Sequence, residues 1–122
     1  MNKVHLLIAL VIVVGGGLIG FGVWQSKRPG QFDAVAQCLT DKGVKMYGAY
    51  WCPHCATQKK VFGRSWKNIK YIECALPSGQ GQTQECTNAK IEGYPTWEFA
   101  DGSRVSGEQS IEDLASKAGC KL

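Results

Sequence analysis

The residues best suited to chemistry in this sequence are two cysteines separated by two residues, in the segment Trp-Cys-Pro-His-Cys at positions 51–55. Such a pair can close an easily reduced disulfide when a helix begins between the two cysteines. At a helix N-terminus, the free N–H groups and the helix dipole favour a thiolate at the first cysteine. The spacing therefore predicts Cys52 as a reactive sulfur and Cys55 as its resolving partner.

Three residues beside the cysteines are predicted to tune them. His54 can donate a hydrogen bond to the Cys52 thiolate and stabilise the reduced form, which makes the disulfide a better oxidant. The alternative is a solvent-facing ring with no electronic role. Pro53 suits the first turn of a helix, where its missing N–H is not needed. Trp51, directly before the pair, completes this set.

Cysteine usage indicates where the protein works. Six cysteines among 122 residues are too many for an ordinary reduced cytosolic protein, so they indicate an oxidising compartment or a metal site. If Cys52 and Cys55 form one pair, the other four can connect in three ways. These four are Cys38, Cys74, Cys86 and Cys120.

The first 25 residues are predicted to be a transmembrane anchor. From Leu6 to Trp24 there are nineteen residues without a charge, enough to cross a hydrocarbon core as a helix. A cleaved signal peptide is the alternative, although its apolar region is usually shorter and followed by small residues. Lysine or arginine flanks both ends of this segment, so charge does not fix its orientation. The cysteine content instead favours an extracytoplasmic domain in a single-pass protein of the cell membrane, in a periplasmic, luminal or extracellular space.

The rest of the chain has little net charge. The whole sequence carries 14 basic and 10 acidic residues, and three of the basic ones, Lys3, Lys27 and Arg28, belong to the N-terminal segment. This composition excludes a strongly basic surface, so no nucleic-acid partner is expected.

The elements that must position the cysteines follow a short linker at 26–31 and form one domain at 32–122. Periodicity and capping signals predict helices near 32–42, 53–66, 83–91 and 111–118, and strands near 44–50, 69–75, 96–100 and 103–106. This order is that of an α/β fold with a mixed sheet of about four strands flanked by helices.

Together, these motifs resemble the thioredoxin superfamily. The resemblance rests on Trp-Cys-Pro-His-Cys at a strand-to-helix junction and on Tyr-Pro-Thr at 94–96 before a hairpin, and it spans about 32–120. The segments 45–55 and 93–98 are similar to a narrower group, the thioredoxin-like domain associated with bacterial and plant vitamin K epoxide reductase homologues. A lone Cys-X-X-Cys would also suit a zinc site.

The resemblance implies further site residues. It makes Pro95 a cis proline packed against the cysteines, with Tyr94 and Thr96 beside it on the substrate-binding surface. An ordinary trans turn proline, and a Tyr94 that packs on the core, are the alternatives. The Pro-His dipeptide between the cysteines is shared with strongly oxidising Dsb-type proteins, which implies an oxidant or isomerase.

The resemblance also supports a Cys74–Cys86 pair, which leaves Cys38 to Cys120. Both pairs are predicted to be structural staples of a small domain. The alternative is that one of them is a second redox couple between Cys52–Cys55 and a membrane partner.

One position departs from the thioredoxin pattern. Thioredoxins carry a buried carboxylate six residues before the first cysteine, where it accepts the proton of the second. Here that position is Met46, and Lys45 or a water would have to substitute. The chain is therefore predicted to be less suited to a dedicated reductant.

The function predicted from the sequence is that of a membrane-anchored thiol–disulfide oxidoreductase without a cofactor. It would oxidise or isomerise disulfides in cysteine-containing extracytoplasmic proteins. The resemblance implies reoxidation by a quinone-linked membrane partner of the vitamin K epoxide reductase type. Alternatives are an extracytoplasmic disulfide reductase, a copper- or zinc-binding module that uses Cys52, His54 and Cys55, and a non-catalytic adaptor. No metal is expected in the preferred interpretation.

Overall fold

The computed structural model describes residues 2–122, as one long N-terminal helix followed by an α/β unit. The helices are α1 (Lys3–Ser26), α2 (Asp33–Asp41), α3 (Pro53–Phe62), α4 (Gln84–Asn88) and α5 (Ile111–Ala118), with a 3₁₀ helix at Gly63–Asn68. The strands are β1 (Lys45–Gly48), β2 (Lys70–Glu73), β3 (Thr96–Glu98) and β4 (Arg104–Ser106).

The four strands form one mixed sheet in the order β2-β1-β3-β4. Strand β1 runs parallel to β2 and antiparallel to β3, and β3 pairs with β4 as a hairpin. Helix α3 connects β1 to its parallel neighbour β2, as a parallel pair requires. This is the predicted thioredoxin-like fold, preceded by one apolar helix.

Helix α1 is apolar along its whole length. The span Lys3–Gln25 is long and apolar enough to cross a membrane, and none of its most apolar window is buried against the rest of the chain. A signal sequence near the N-terminus can meet the same criteria of length and composition. The helix therefore adds nothing to the core, and the site is built entirely by the residues after it.

Alternate residues of β1 supply two separate cores, because neighbouring side chains of a strand point to opposite faces. Met46 belongs to the larger cluster, which includes Trp97, Phe62 and both Cys52 and Cys55. Tyr47 belongs to the smaller cluster, which contains Cys74, Cys86 and Ile91. Cys52 and Cys55 thus lie on one face of the sheet, and the Cys74–Cys86 disulfide lies on the other.

A fully buried glutamine fixes helix α3 in place. The Oε1 atom of Gln58 accepts hydrogen bonds from Trp97 Nε1 at 3.3 Å and from the Gln109 backbone N–H at 2.7 Å. Its Nε2 donates to the Gln109 carbonyl oxygen at 2.9 Å. Within residues 2–122, no buried side-chain nitrogen or oxygen lacks a hydrogen-bond partner. Gln58 therefore ties α3 to β3 and to the loop before α5.

Several predicted element ends were wrong by a few residues. The helix predicted for 53–66 ends at Phe62, because Gly63 adopts a φ of +55° and the chain continues as a 3₁₀ helix. Each strand is shorter than predicted. The last helix was predicted correctly, with Ser110 Oγ accepting from the Asp113 N–H and Gly119 ending the helix at a φ of +74°.

The four remaining cysteines form two disulfides. Cys74–Cys86 joins the end of β2 to α4, and both residues are fully buried. Cys38–Cys120 joins α2 to the chain end across 82 residues, and both of its cysteines are half-buried. This pairing is the one the resemblance implied. A disulfide without solvent access exchanges poorly, so the burial of Cys74–Cys86 favours a structural role.

The disulfides are expected to stabilise the fold unequally. Replacing Cys38 and Cys120 together by alanine is expected to lower the free energy of unfolding by about 4–5 kcal/mol, against about 3 kcal/mol for Cys74 and Cys86, because the longer closed loop restricts the unfolded chain more. Urea titrations of the full chain in detergent, followed by tryptophan fluorescence, measure both losses. An equal loss for the two double variants would contradict the loop-length argument.

Candidate active site

Cys52 lies at the junction between β1 and α3. Its backbone is extended, with φ of −78° and ψ of 119°, and it caps the N-terminus of the helix. The Cys55 backbone N–H donates to Cys52 Sγ at 3.3 Å. This N–H and the helix dipole both stabilise negative charge on the sulfur. The sequence placed a helix start between the two cysteines, and the structure has it there.

The two sulfurs differ in their access to solvent. Cys52 is 5% exposed and Cys55 is 1% exposed, and both are free thiols. Burial, and after it the hydrogen bond with the Cys52 side chain, raises the pKa of the Cys55 thiol to about 12. Cys55 therefore keeps its proton at neutral pH, and a partner must take that proton before Cys55 can attack a disulfide.

The loop before β3 covers Cys52. The Tyr94–Pro95 peptide bond is cis, and Pro95 is fully buried. The Cys52 thiol donates to the Tyr94 carbonyl oxygen at 3.7 Å. The Tyr94 ring meets Trp51 edge to face, with the ring centroids 5.8 Å apart. The structure thus brings the proline loop, the tryptophan and the reactive cysteine together.

The side chains of Trp51 and Tyr94 form an aromatic rim beside Cys52. Trp51 is 52% exposed, which is unusual for so large an apolar side chain. The Tyr94 hydroxyl is held by a 2.7 Å hydrogen bond from Gln82 Nε2. Gln82 also donates to the Ile91 carbonyl oxygen, so the ring orientation is fixed by the loop after β2.

The Thr96 hydroxyl is engaged within its own turn. It donates to the Gly93 carbonyl oxygen at 2.7 Å, and only 6% of the residue is exposed. The Thr96 backbone pairs with Tyr47 in the sheet. Thr96 therefore closes the turn that presents Tyr94 and Pro95.

His54 differs from its predicted contact. Its Nδ1 lies 2.8 Å from Glu108 Oε2, and its side chain is 71% exposed. The hydrogen bonds described for residues 2–122 include none from this ring to Cys52. Any influence of His54 on the sulfur must therefore act through space or after the ring rotates, because its observed partner is a carboxylate in the loop before α5.

Lys45 does not replace the carboxylate that Met46 lacks. Its Nζ forms an ion pair with Glu98 Oε1 at 3.1 Å on the sheet. The hydrogen bond with Glu98 raises the pKa of the lysine, so the group stays charged and cannot accept a proton. Met46 itself is fully buried among apolar side chains.

The sequence analysis missed a polar group beside Cys55. The Tyr71 hydroxyl donates to Glu73 Oε2 at 2.7 Å, and Glu73 Oε1 accepts from the backbone N–H groups of Tyr50 and Ala75 at 3.0 and 2.9 Å. Burial, the Glu73 carboxylate and the two cysteines all raise the pKa of the Tyr71 hydroxyl. The alternation of Tyr71 and Glu73 in a strand parallel to β1 was the available signal, since it puts both on one face.

Gly48 leaves the space in which these groups meet. A β-carbon on Gly48 would lie 2.9 Å from Tyr71 Cε2, 3.0 Å from Cys55 Sγ and 3.2 Å from the Tyr71 hydroxyl oxygen. Any larger residue would push the tyrosine or the sulfur away. The absence of a side chain at this position therefore sets the distance between Cys55 and Tyr71.

Comparison with known proteins identifies one informative relative. No family model matches the chain. Over 94 residues, the chain is 43% identical to the protein called thiol-disulfide oxidoreductase LTO1 in Arabidopsis thaliana. The match covers 73% of this chain but only 24% of that protein, so the chain spans about a quarter of its relative's length.

The tight contact at Gly48 generates a prediction. Gly48→Ala is expected to lower the free energy of unfolding by about 1–3 kcal/mol, the usual effect of adding a methyl group to a well-packed core. Gly93→Ala is the matched control, because nothing lies within 4 Å of a β-carbon there. Urea titrations of both variants measure the difference. Equal stability of the two variants would contradict the packing argument.

Proposed function

We propose that this chain is a membrane-anchored thiol–disulfide oxidoreductase in which Cys52 is the nucleophile and Cys55 the resolving cysteine. The observation that carries the proposal is the position of Cys52 Sγ, which caps α3 and accepts the Cys55 N–H at 3.3 Å. A sulfur held there is stabilised as a thiolate and is the more exposed of the pair. The oxidoreductase name of the Arabidopsis relative supports the same chemistry.

The proposed reaction moves two electrons from substrate to enzyme. With Cys52–Cys55 oxidised, a substrate thiolate attacks Cys52 Sγ, the S–S bond breaks, and Cys55 leaves with the electron pair and gains a proton. A second substrate thiolate then attacks the substrate sulfur of the mixed disulfide and releases Cys52 as a thiolate. If the second thiolate is slow, Cys55 attacks Cys52 Sγ and releases the substrate reduced.

The substrates we propose are cysteine-containing proteins in an extended conformation. The exposed Trp51 ring, with Tyr94 against its edge, offers an apolar rim next to the reactive sulfur. Aromatic side chains bury a large area at little entropic cost, so they suit contact with varied unfolded chains. The loop at 93–95 runs past Cys52 and can lie alongside such a chain.

We place the α/β unit on the extracytoplasmic side of a membrane. Disulfides such as Cys38–Cys120 and Cys74–Cys86 persist in oxidising compartments. The apolar helix α1 would hold the unit close to the bilayer as an uncleaved anchor. A membrane position also supports reoxidation by a quinone-linked partner of the vitamin K epoxide reductase type, which the resemblance of segments 45–55 and 93–98 implies.

Substituting the two cysteines separately tests the assigned roles. Cys52→Ala is expected to reduce the oxidation of a dithiol peptide to the background rate, because the variant cannot form the Cys52–Cys55 disulfide that the substrate thiolate attacks. Cys55→Ala is instead mixed with two peptides joined by a disulfide. The Cys52 thiolate attacks that bond and releases one peptide as a thiolate, and the covalent disulfide with the other peptide is expected to accumulate because no Cys55 is present to resolve it. Mass spectrometry under non-reducing conditions detects that species, and Thr57→Ala on the same helix is the control. Full activity of Cys52→Ala would exclude the proposed function.

The redox potential tests the direction of electron flow. We expect the Cys52–Cys55 couple to have a potential less negative than about −200 mV, in the range of protein disulfide isomerase and stronger oxidants. Equilibration of the full chain with glutathione buffers, with the two thiols quantified by alkylation and mass, gives the value. A potential near that of thioredoxin, about −270 mV, would assign the chain as a disulfide reductase instead.

A further inference from the structure

The resolving cysteine, Cys55, needs a group that accepts its proton before it can react. Cys55 is almost fully buried, and burial keeps its thiol protonated at neutral pH. Only a thiolate attacks a disulfide. The carboxylate that serves this purpose in thioredoxins is replaced by Met46, and Lys45 is engaged with Glu98. The acceptor must therefore come from another element that faces Cys55.

Strand β2 presents a side-chain oxygen to Cys55. The Tyr71 hydroxyl oxygen and Cys55 Sγ both lie within 3.2 Å of one point, the position of a β-carbon on Gly48. Because Gly48 has no side chain, nothing of that residue separates the two groups. Parallel pairing of Gly48 with Glu73 places the carboxylate at the same end of the sheet.

The Tyr71 hydroxyl donates its own proton to Glu73, which leaves its oxygen able to accept a proton from another group. Its O–H already points at Glu73 Oε2, at 2.7 Å, so the oxygen lone pairs remain free to accept from another donor. Glu73 in turn accepts two backbone N–H groups through its other oxygen. Three donors thus surround the Glu73 carboxyl group, and the Tyr71 hydroxyl is the one directed at Oε2.

We propose that Tyr71 and Glu73 act together as the proton acceptor of Cys55. This inference rests on the proposed function. The Cys55 S–H gives its proton to the Tyr71 oxygen while the Tyr71 hydroxyl proton passes to Glu73 Oε2. The Cys55 sulfur then attacks Cys52 Sγ of the mixed disulfide. The Cys52–Cys55 bond forms, the bond from Cys52 to the substrate breaks, and the substrate leaves as a thiolate. In the oxidising direction, the same pair returns the proton to Cys55.

The hydrogen bonds of residues 2–122 include none between Cys55 and Tyr71, so the two groups must draw closer or share a water during the transfer. Such contacts are commonly long in a resting enzyme and tighten during the reaction. Only a small movement is needed, because both atoms border the same gap above Gly48.

Lys59 of α3 brings a positive charge close to Tyr71 and Cys55. Its Nζ lies 4.2 Å from the centroid of the Tyr71 ring, and its charge lowers the pKa of Cys55, although less than burial raises it. The titratable groups around Cys55 thus include Cys52 at the start of α3, Lys59 on α3, and Tyr71 of β2, whose hydroxyl is bound to Glu73. Strand β1 contributes only Met46 and Gly48, which do not titrate.

A purely structural role is the alternative for this pair. Glu73 fastens the backbone at Tyr50 and Ala75, and the Tyr71 ring packs against Trp66 with centroids 5.8 Å apart. Loss of such contacts would lower stability and slow every step alike. It would not single out the step that Cys55 performs, so a measurement that separates the two cysteines discriminates the roles.

The test uses the reduced full chain in detergent, with both structural disulfides intact and two thiols per chain. It is mixed with one equivalent of dithiobis(nitrobenzoate), an aromatic disulfide that releases a coloured thiolate. The first release reports attack by Cys52, and the second reports attack by Cys55 on the resulting mixed disulfide. Stopped-flow absorbance resolves the two phases between about pH 6 and about pH 10. This whole range lies below the Cys55 pKa of about 12.

Tyr71→Phe and Glu73→Gln are expected to slow the second phase on the order of 100-fold at neutral pH, the low end of what a positioned acid–base group contributes. The first phase should not change. In both variants the second phase should accelerate about tenfold per pH unit, because below its pKa the Cys55 thiolate fraction rises by that factor. The unmodified protein should show a flatter profile, and Glu73→Asp, which keeps the acid, should recover part of the rate.

Two substitutions serve as matched controls. Tyr50→Phe removes a hydroxyl that faces the Pro77 carbonyl oxygen, and Glu112→Gln removes a carboxylate from the exposed side of α5. Neither should affect the second phase. Equal slowing of both phases in Tyr71→Phe and Glu73→Gln, or no slowing of the second phase, would overturn the inference and leave the proposed function intact. Absence of the first phase in the unmodified protein would overturn the proposed function, and this inference with it.

Discussion

The hydrogen bond from the Cys55 N–H to Cys52 Sγ is the contact on which the rest of the site depends. It forms only if α3 begins directly after Cys52, with Pro53 in the first turn and the chain turning sharply out of β1. Gln58 keeps the helix in that position through three hydrogen bonds to β3 and to the loop before α5. Because the Gln58 side chain is fully buried, shifting the helix would leave its polar atoms unsatisfied, at about 1–3 kcal/mol each.

That geometry gives the two sulfurs different environments although only two residues separate them. Both cysteines are buried, but Cys52 lies at the N-terminal end of α3 and keeps slightly more exposure than Cys55, which lies one turn along the helix in the core. This difference supports the proposed roles, in which Cys52 meets the substrate and Cys55 reacts only with its neighbour. One of the two disulfides is separated from this pair by the sheet, since Cys74–Cys86 lies in the cluster on the opposite face.

The polar side chains near Cys55 belong to β2, because the β1 residues on this face, Met46 and Gly48, carry no polar side chain. Met46 and Gly48 leave an apolar wall with a gap, and register in a parallel sheet puts Tyr71 beside Met46 and Glu73 beside Gly48. The small residue and the polar pair therefore act as one unit, although more than twenty residues separate them in the sequence. The Arabidopsis relative matches this chain over only a quarter of its own length, so the comparison does not extend to the rest of that longer protein.

The sequence by itself determined the elements and the reactive pair. Its periodicity and capping residues predicted all four strands, the last helix to the residue, and the helix start at the cysteines, because these signals are local and depend on neighbours within a few positions. Helix α3 was predicted too long, because the spacing of apolar residues does not show that Gly63 leaves the helical conformation. The contacts between side chains were decided by the tertiary structure. Only the folded chain puts His54 on Glu108, Lys45 on Glu98, Thr96 in its own turn and Tyr71 next to Cys55. Each of these contacts, apart from that of Thr96, joins residues far apart in the chain, and so depends on strand register and loop closure.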